Sequence, residues 1–403
     1  MNLYFVQEAV YFEFKGNYYS PRIRYETYWE RYLNHFNSVH VFARVKQIDE
    51  LPNHYHQVNG DKVSFITLPY YNGIIGFYKS KKQITKIYKN NISYNDAYVL
   101  RIPGPLGNLI AQILNNNKVK YAVEVVGDPY EVAKFLNLPR LLKLLLKNYS
   151  LLKMRKVVAN SVAALYVTNE TLQRRYPAKK ASISSSASNV IIDEKDIVDL
   201  NRKLKQVKQI NDRFTNVNKK PIKIGVLGMM YAIKSPIEIL EVINNLIKNK
   251  YNIELYFAGE GPLKSVVEKK ALEYNISENV KCLGNLSSGE AVYDFLDSLD
   301  LYVQFSKTEG IPRAMLEAMA RGCPVVSSDA GGIPEFVSSK FLVKTGDIED
   351  LFIKIEAILT NENLYRQNIE QSIKTVNNFS LTVLKKKRYK HYSEVYNIFK
   401  NNI

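Results

Sequence analysis

Two carboxylates, Glu309 and Glu317, bracket the start of a short helix in the segment EGIPRAMLEAMARGCPVVSSDAGGIPEF, residues 309–336. Pro312 stands where the first helical residue should be, a position whose N–H is unpaired in any helix. Gly322 supplies a left-handed cap, and Pro324-Val325-Val326 opens a buried strand. The spacing therefore predicts a helix over 312–321. Free N–H groups and the positive end of the helix dipole make its tip, at Gly310, Ile311, Pro312 and Arg313, an anion site. Glu309 lies before the helix and Glu317 inside it, roughly 8 Å along the axis from Pro312 at about 1.5 Å per residue. An anion on the tip would have a carboxylate on either side, and carboxylates are good acceptors for sugar hydroxyls. A nucleotide sugar carries hydroxyls on both sides of a diphosphate, on its hexose and on its ribose.

The elements that must position these residues alternate between strand and helix. In the second half, strands are expected over 222–227, 253–258, 280–283, 301–305, 324–327 and 341–343. Amphipathic helices over 236–248, 263–274 and 289–299 fall between them. That alternation implies a parallel sheet covered on both faces, with its ligand at the carboxyl ends of the strands. Each strand runs into a turn rich in glycine: Gly228, Gly259-Glu260-Gly261-Pro262, Gly284-Asn285-Leu286, Gly310 and Gly331-Gly332. Glycine there lets the backbone approach a ligand closely, or simply makes a tight turn. The first half is less regular but similar, with strands expected over 38–44, 63–68, 97–101, 121–126 and 164–168. Helices are expected there over 25–35 and 106–115.

With these turns in register, the segment resembles the signature of glycosyltransferase family 4, retaining nucleotide-sugar enzymes of GT-B fold. The likeness is strong over 222–343 and looser over 97–189. It implies an α/β protein with two Rossmann-like parallel-sheet domains facing a cleft. It also implies that Glu309 contacts the donor sugar and Glu317 the ribose. Lys234, six residues after Gly228, matches the family lysine on the diphosphate. The usual arginine position holds Met229 instead, and Arg313 is a plausible substitute. The turns at Gly259, Glu260 and Gly261, at Gly284, Asn285 and Leu286, and at Gly331 and Gly332 match those that shape the nucleotide cleft, contact the base and approach the donor.

The first domain should supply the acceptor site. Gly127 and Asp128 follow a strand and open a helix. Many family members place a histidine near here, and Asp128 either takes that role or caps the helix. Thr168 ends another strand in a segment, YVTN, that resembles bacterial polysaccharide-type members. Gly16, with residues 17–20, occupies the usual place of the first acceptor-facing loop but lacks the family's glycine pair. The stretch 135–157, FLNLPRLLKLLLKNYSLLKMRKV, admits two readings. It packs most of its leucines on the core, or it lies on an anionic bilayer.

Composition sets the bounds. The chain has 403 residues, enough for two domains. These are expected at 1–195 and 221–379, joined by a polar linker at 196–220. A basic amphipathic helix over about 380–403 is expected to pack back on the first domain. A net charge of +17 points to an acidic partner, such as a phosphorylated substrate or an anionic membrane surface. The sequence lacks the motifs that favour nucleic acid. No run of 18 apolar residues and no signal peptide are seen, and two cysteines make no disulfide framework. A cytoplasmic protein, peripheral on the inner face of the cell membrane, is the expectation.

The resemblance thus implies a hexosyltransferase-type enzyme (EC 2.4) using a nucleotide diphosphate sugar, without metal or other cofactor. The acceptor would be a hydroxyl of a glycolipid or polysaccharide precursor. Two alternatives stand beside it: a GT-B nucleotide-sugar epimerase, and a degenerate protein that binds sugar nucleotides without turnover.

Overall fold

The computed structural model describes every residue except Arg22, Asn137, Gln206, Lys208, Gln209, Asn402 and Ile403. The chain divides into two units, Met1–Ala187 with Lys385–Ile403, and Ser188–Leu384.

The first unit contains β1 (Leu3–Phe14), β2 (Asn17–Ser20), β3 (Val39–Gln47), β4 (His56–Gln57), β5 (Val63–Leu68), β6 (Ala97–Ile102), β7 (Ala122–Val125), β8 (Ala163–Tyr166) and β9 (Ile183–Ser186). Seven of these run parallel in the order β5-β3-β1-β6-β7-β8-β9. Its helices are α1 (Tyr25–Leu33), α2 (Gly73–Asn90), α3 (Pro105–Asn116), α4 (Pro129–Lys134), α5 (Arg140–Ala159) and α6 (Thr171–Arg175). Strands buried on both faces read as nearly continuous apolar runs, as β6 and β8 do. β1 was missed in the sequence because its inner half, LYFVQ, passes into the partly exposed EAVYFEF. Past a register shift between Val6 and Val10 it turns back into β2, which pairs with β4.

The second unit is a parallel sheet of β10 (Ile222–Leu227), β11 (Ile253–Ala258), β12 (Val280–Gly284), β13 (Leu301–Gln304), β14 (Val325–Ser328) and β15 (Leu342–Val343). Their order is β12-β11-β10-β13-β14-β15. The helices are α7 (Leu200–Lys205), α8 (Ile210–Thr215), α9 (Pro236–Lys248), α10 (Lys264–Glu273), α11 (Glu290–Ser298), α12 (Arg313–Ala320), α13 (Ile348–Thr360) and α14 (Glu362–Val376). The last helix, α15 (Leu381–Lys400), begins in this unit and belongs to the first from Lys385 onward.

Three expectations need correction. The stretch 196–220 is not a free linker: it carries α7 and α8 and lies within the second unit, whose boundary falls at 187/188. Phe214 of α8 is buried and stacks on Tyr251, which explains why so polar a stretch is held. The motif helix starts one residue later, with Pro312 as its N-cap. In 135–157, Pro139 starts α5, and the helix does not pack most of its leucines on the core. Only Met154, Val157 and Val158 of α5 are buried, while Leu141, Leu142, Leu144, Leu145 and Leu152 are exposed.

Candidate active site in the second unit

The strand order of the second unit reverses between β10 and β13. In an open parallel sheet this switch point is where two loops leave in opposite directions and open a crevice. Lys234 stands on the loop after β10 and Glu309 on the loop after β13. The Lys234 ammonium is ion-paired to Glu309 Oε1 across that point. The Glu309 side chain is only 11% exposed, and Gln304 at the end of β13 fixes its rotamer. Gln304 Nε2 donates to Glu309 Oε1 at 2.9 Å and to Ser306 Oγ at 2.7 Å. Tyr302 O–H donates to Gln304 Oε1 at 2.7 Å, so the buried amide is oriented from both ends. Sequence reasoning missed Gln304. Its signal was a polar residue ending the apolar strand LYVQ, next to the motif.

The N-terminus of α12 follows directly on this pair. Gly310 and Ile311 are half-buried, Pro312 is buried, and Arg313 is exposed at the first turn. The turn at Gly331-Gly332 holds the loop. Gly332 N–H donates to Gly310 O at 3.1 Å, and a Cβ on Gly331 would lie 1.7 Å from Glu309 O. Gly331 is thus required because the Glu309 loop lies directly against it. Glu317, on the next turn of α12, is half-buried. Burial pushes its carboxyl pKa up to about 7, with Arg313 pulling it part of the way back.

The remaining sequence candidates ring the carboxyl ends of β10, β11 and β12. Gly228 (φ +145°) has open space around it, and Met229 beside it is exposed. A Cβ on Gly259 would lie 2.0 Å from Gly228 O, and the Gly261 position is closed off by Met230 backbone. These two glycines let neighbouring loops touch. Glu260 N–H donates to Asn285 Oδ1 at 3.1 Å, which ties its turn to the one at Gly284 and Leu286. Glu260 also pairs with Lys264 at 2.9 Å.

In the first unit Gly127, Asp128 and Thr168 follow the adjacent ends of β7 and β8, while Gly16 lies at the hairpin after β1. Asp128 is the N-cap of α4, accepting from Glu131 N–H at 3.2 Å. It also takes an ion pair from Arg175 and a hydrogen bond from Tyr176 O–H at 2.6 Å, so the capping reading describes its observed contacts. Thr168 is buried, with Oγ1 accepting from Leu172 N–H at 3.1 Å at the start of α6. Gly16 (φ +81°) is the second residue of the tight turn between β1 and β2, so 17–20 is a strand and not a loop. Gly127 lies against the Pro103 ring. The switch point here, between β1 and β6, holds Glu8 instead. Its carboxylate accepts from Leu106 N–H at the start of α3 at 3.0 Å and from Tyr71 O–H at 2.5 Å.

A family model described as glycosyl transferases group 1 matches residues 189–375, the unit that carries the Lys234–Glu309 pair. Along its whole length the chain is 30% identical to protein CapJ of Staphylococcus aureus, covering 99% of this chain and 97% of that one. The chain belongs to the group 1 glycosyl transferases. The O-antigen biosynthesis glycosyltransferase WbnH of Escherichia coli is 24% identical over 200 residues, 50% of this glycosyltransferase and 54% of WbnH. Among solved structures, Anabaena HepE in complex with UDP and glucose is similar with a TM-score of 0.65 at 12% identity. That likeness covers 98% of this chain and 100% of HepE, and it shows the fold: two Rossmann-like parallel-sheet units of the GT-B class.

Proposed function

We propose that this glycosyltransferase moves a sugar from a nucleotide diphosphate sugar to a hydroxyl of a glycolipid or polysaccharide precursor, with retention at the anomeric carbon. The observation that carries the reading is the Lys234–Glu309 pair at the switch point, beside the N-terminus of α12. The UDP and glucose bound by HepE and the O-antigen role in WbnH's name support the donor and acceptor classes.

In this reading the donor diphosphate enters between Lys234 and the tip of α12. Lys234 transfers its contact from Glu309 to phosphate oxygen, and Glu309, still held by Gln304, accepts from donor-sugar hydroxyls. Glu317 accepts from the ribose. The bond between C1 and the diphosphate oxygen breaks, and its electron pair stays on the leaving nucleotide. Lys234, the helix N–H groups and Arg313 stabilise that growing charge, an interaction stronger in the transition state than in the ground state. The acceptor hydroxyl attacks C1 on the face the diphosphate leaves, and its proton passes to a donor phosphate oxygen. The reading needs no resident cofactor and no separate protein base. The reaction runs at the cytoplasmic face of the membrane, where lipid-linked precursors present their sugars.

The test is incubation with a panel of nucleotide sugars and lipid-linked precursor. Release of nucleoside diphosphate that depends on the acceptor, with an anomeric coupling constant matching the donor's, is expected. Inversion at C1 would overturn the retaining step. A new sugar-nucleotide isomer formed without acceptor would assign the chain to the epimerases instead.

A further inference from the structure

The charge of the chain is not spread evenly. α2 carries five lysines and α5 four lysines and two arginines, and neither helix has a single acid. α3 between them has no charged residue. Ordinary solvated helices mix both signs, so eleven cations with no anion on two helices is a surface built toward something negative.

The same two helices also expose large apolar side chains. Ile75 of α2 is 72% exposed, and Leu141, Leu145 and Leu152 of α5 are 59–70% exposed. Exposed apolar side chains alternating with cations at this density are the composition of helices that lie in a lipid headgroup layer. Between the helices opens a cavity of about 320 Å³, within the range of small-ligand sites. Phe77, Leu109, Leu146 and Met154 line it, with Lys81 and Lys153 also on its walls. It reaches Gly104 and Pro129, at the carboxyl ends of β6 and β7, the edge where parallel sheets take their ligands.

We infer that the α2–α5 face docks on an anionic lipid bilayer, and that the cavity receives one hydrocarbon chain of a bilayer lipid while Lys81 and Lys153 face its anionic head. The inference adds a lipid site in the first unit and does not depend on the donor chemistry assigned to the second.

Flotation of the full chain with vesicles of phosphatidylcholine, with and without phosphatidylglycerol, tests it. Binding only to the anionic vesicles is expected. The triple variant Leu141→Gln/Leu145→Gln/Leu152→Gln, all at exposed positions, should bind at least about tenfold more weakly. Tyr149→Trp places a reporter on the cavity wall. Its fluorescence should be quenched by anionic vesicles with brominated acyl chains, while the wild type, whose one tryptophan is the buried Trp29, should stay unquenched.

Absence of flotation at low salt would overturn the proposal. So would binding that the leucine substitutions leave unchanged, which would mark the face as a polyanion surface. A dimer in solution that the triple variant dissolves would overturn it by assigning the face to a second copy. Unaltered nucleoside diphosphate binding by the triple variant separates failure here from failure of the donor site.

Discussion

At the residue scale, Lys234 and Glu309 form an ion pair, and the proposed donor diphosphate would compete with Glu309 for Lys234. Glu309→Gln removes the competitor and leaves Lys234 free for phosphate. Its affinity for a free nucleoside diphosphate should therefore rise, about three- to tenfold for a partly buried pair worth roughly 1 kcal/mol. Sugar transfer should fall by about two orders of magnitude, because the sugar loses its charged acceptor. Titration calorimetry beside turnover reads both signs, and a fall in both would place Glu309 elsewhere. Glu317 gives a second expectation. Its folded pKa, about 7, lies above the ordinary carboxylate value, so the folded state holds its proton more tightly than the unfolded chain. Stability of the second unit should decline as pH rises from about 4.5 through about 7. Glu317→Gln should remove that decline and be about 1–3 kcal/mol more stable at about pH 8. Urea unfolding across this range would show it, and parallel curves for the two proteins would contradict it.

At the element scale, the site depends on loops that touch. Gly331→Ala must displace the backbone of Glu309, since the new Cβ would sit within bonding distance of its carbonyl oxygen. A loss of about 2 kcal/mol or more, together with lost donor binding, is expected in thermal melts with and without nucleotide. The strands of the second unit and the helices between them, α9 to α12, were legible in the sequence because glycine and proline punctuate them strictly and each strand is a short apolar run; α7 and α8 were not. The polar end of LYVQ marks Gln304, but its contact with Glu309 was not legible, since only the strand's geometry brings its amide against the carboxylate. The first unit was harder to read. β1 mixes buried and exposed positions, Gly16 turns a hairpin, and Asp128 and Thr168 answer to local helix starts. Nothing in the pattern LLKLLLK distinguishes leucines that pack from leucines that face outward. The packing partners on α4 and α3 decide that, and of these α3 is distant in sequence.

At the scale of the whole molecule, each unit carries its own core, and the chain's end is part of the first. Glu124 on β7 is buried and pairs with Arg101, while accepting from Tyr32 O–H at 2.6 Å and from Tyr392 of α15. Burial alone would push its carboxyl pKa up, but Arg101, Arg31 and the two phenols together outweigh it and hold the value below normal. Glu124→Gln leaves the Arg101 charge uncompensated and should cost the first unit about 3–5 kcal/mol. Trp29 lies in that unit and reports its melting directly, so its fluorescence transition should drop while nucleotide binding at low temperature persists. The proposed donor site lies wholly within the second unit. The measurement that tests it most directly is calorimetric titration of UDP, GDP and ADP into the wild type and Lys234→Ala. One nucleoside diphosphate should bind selectively, and Lys234→Ala should weaken it at least about tenfold, the loss of a charged phosphate contact. Binding of none of the three, or equal binding by both proteins, would contradict the claim that this switch point holds a donor diphosphate.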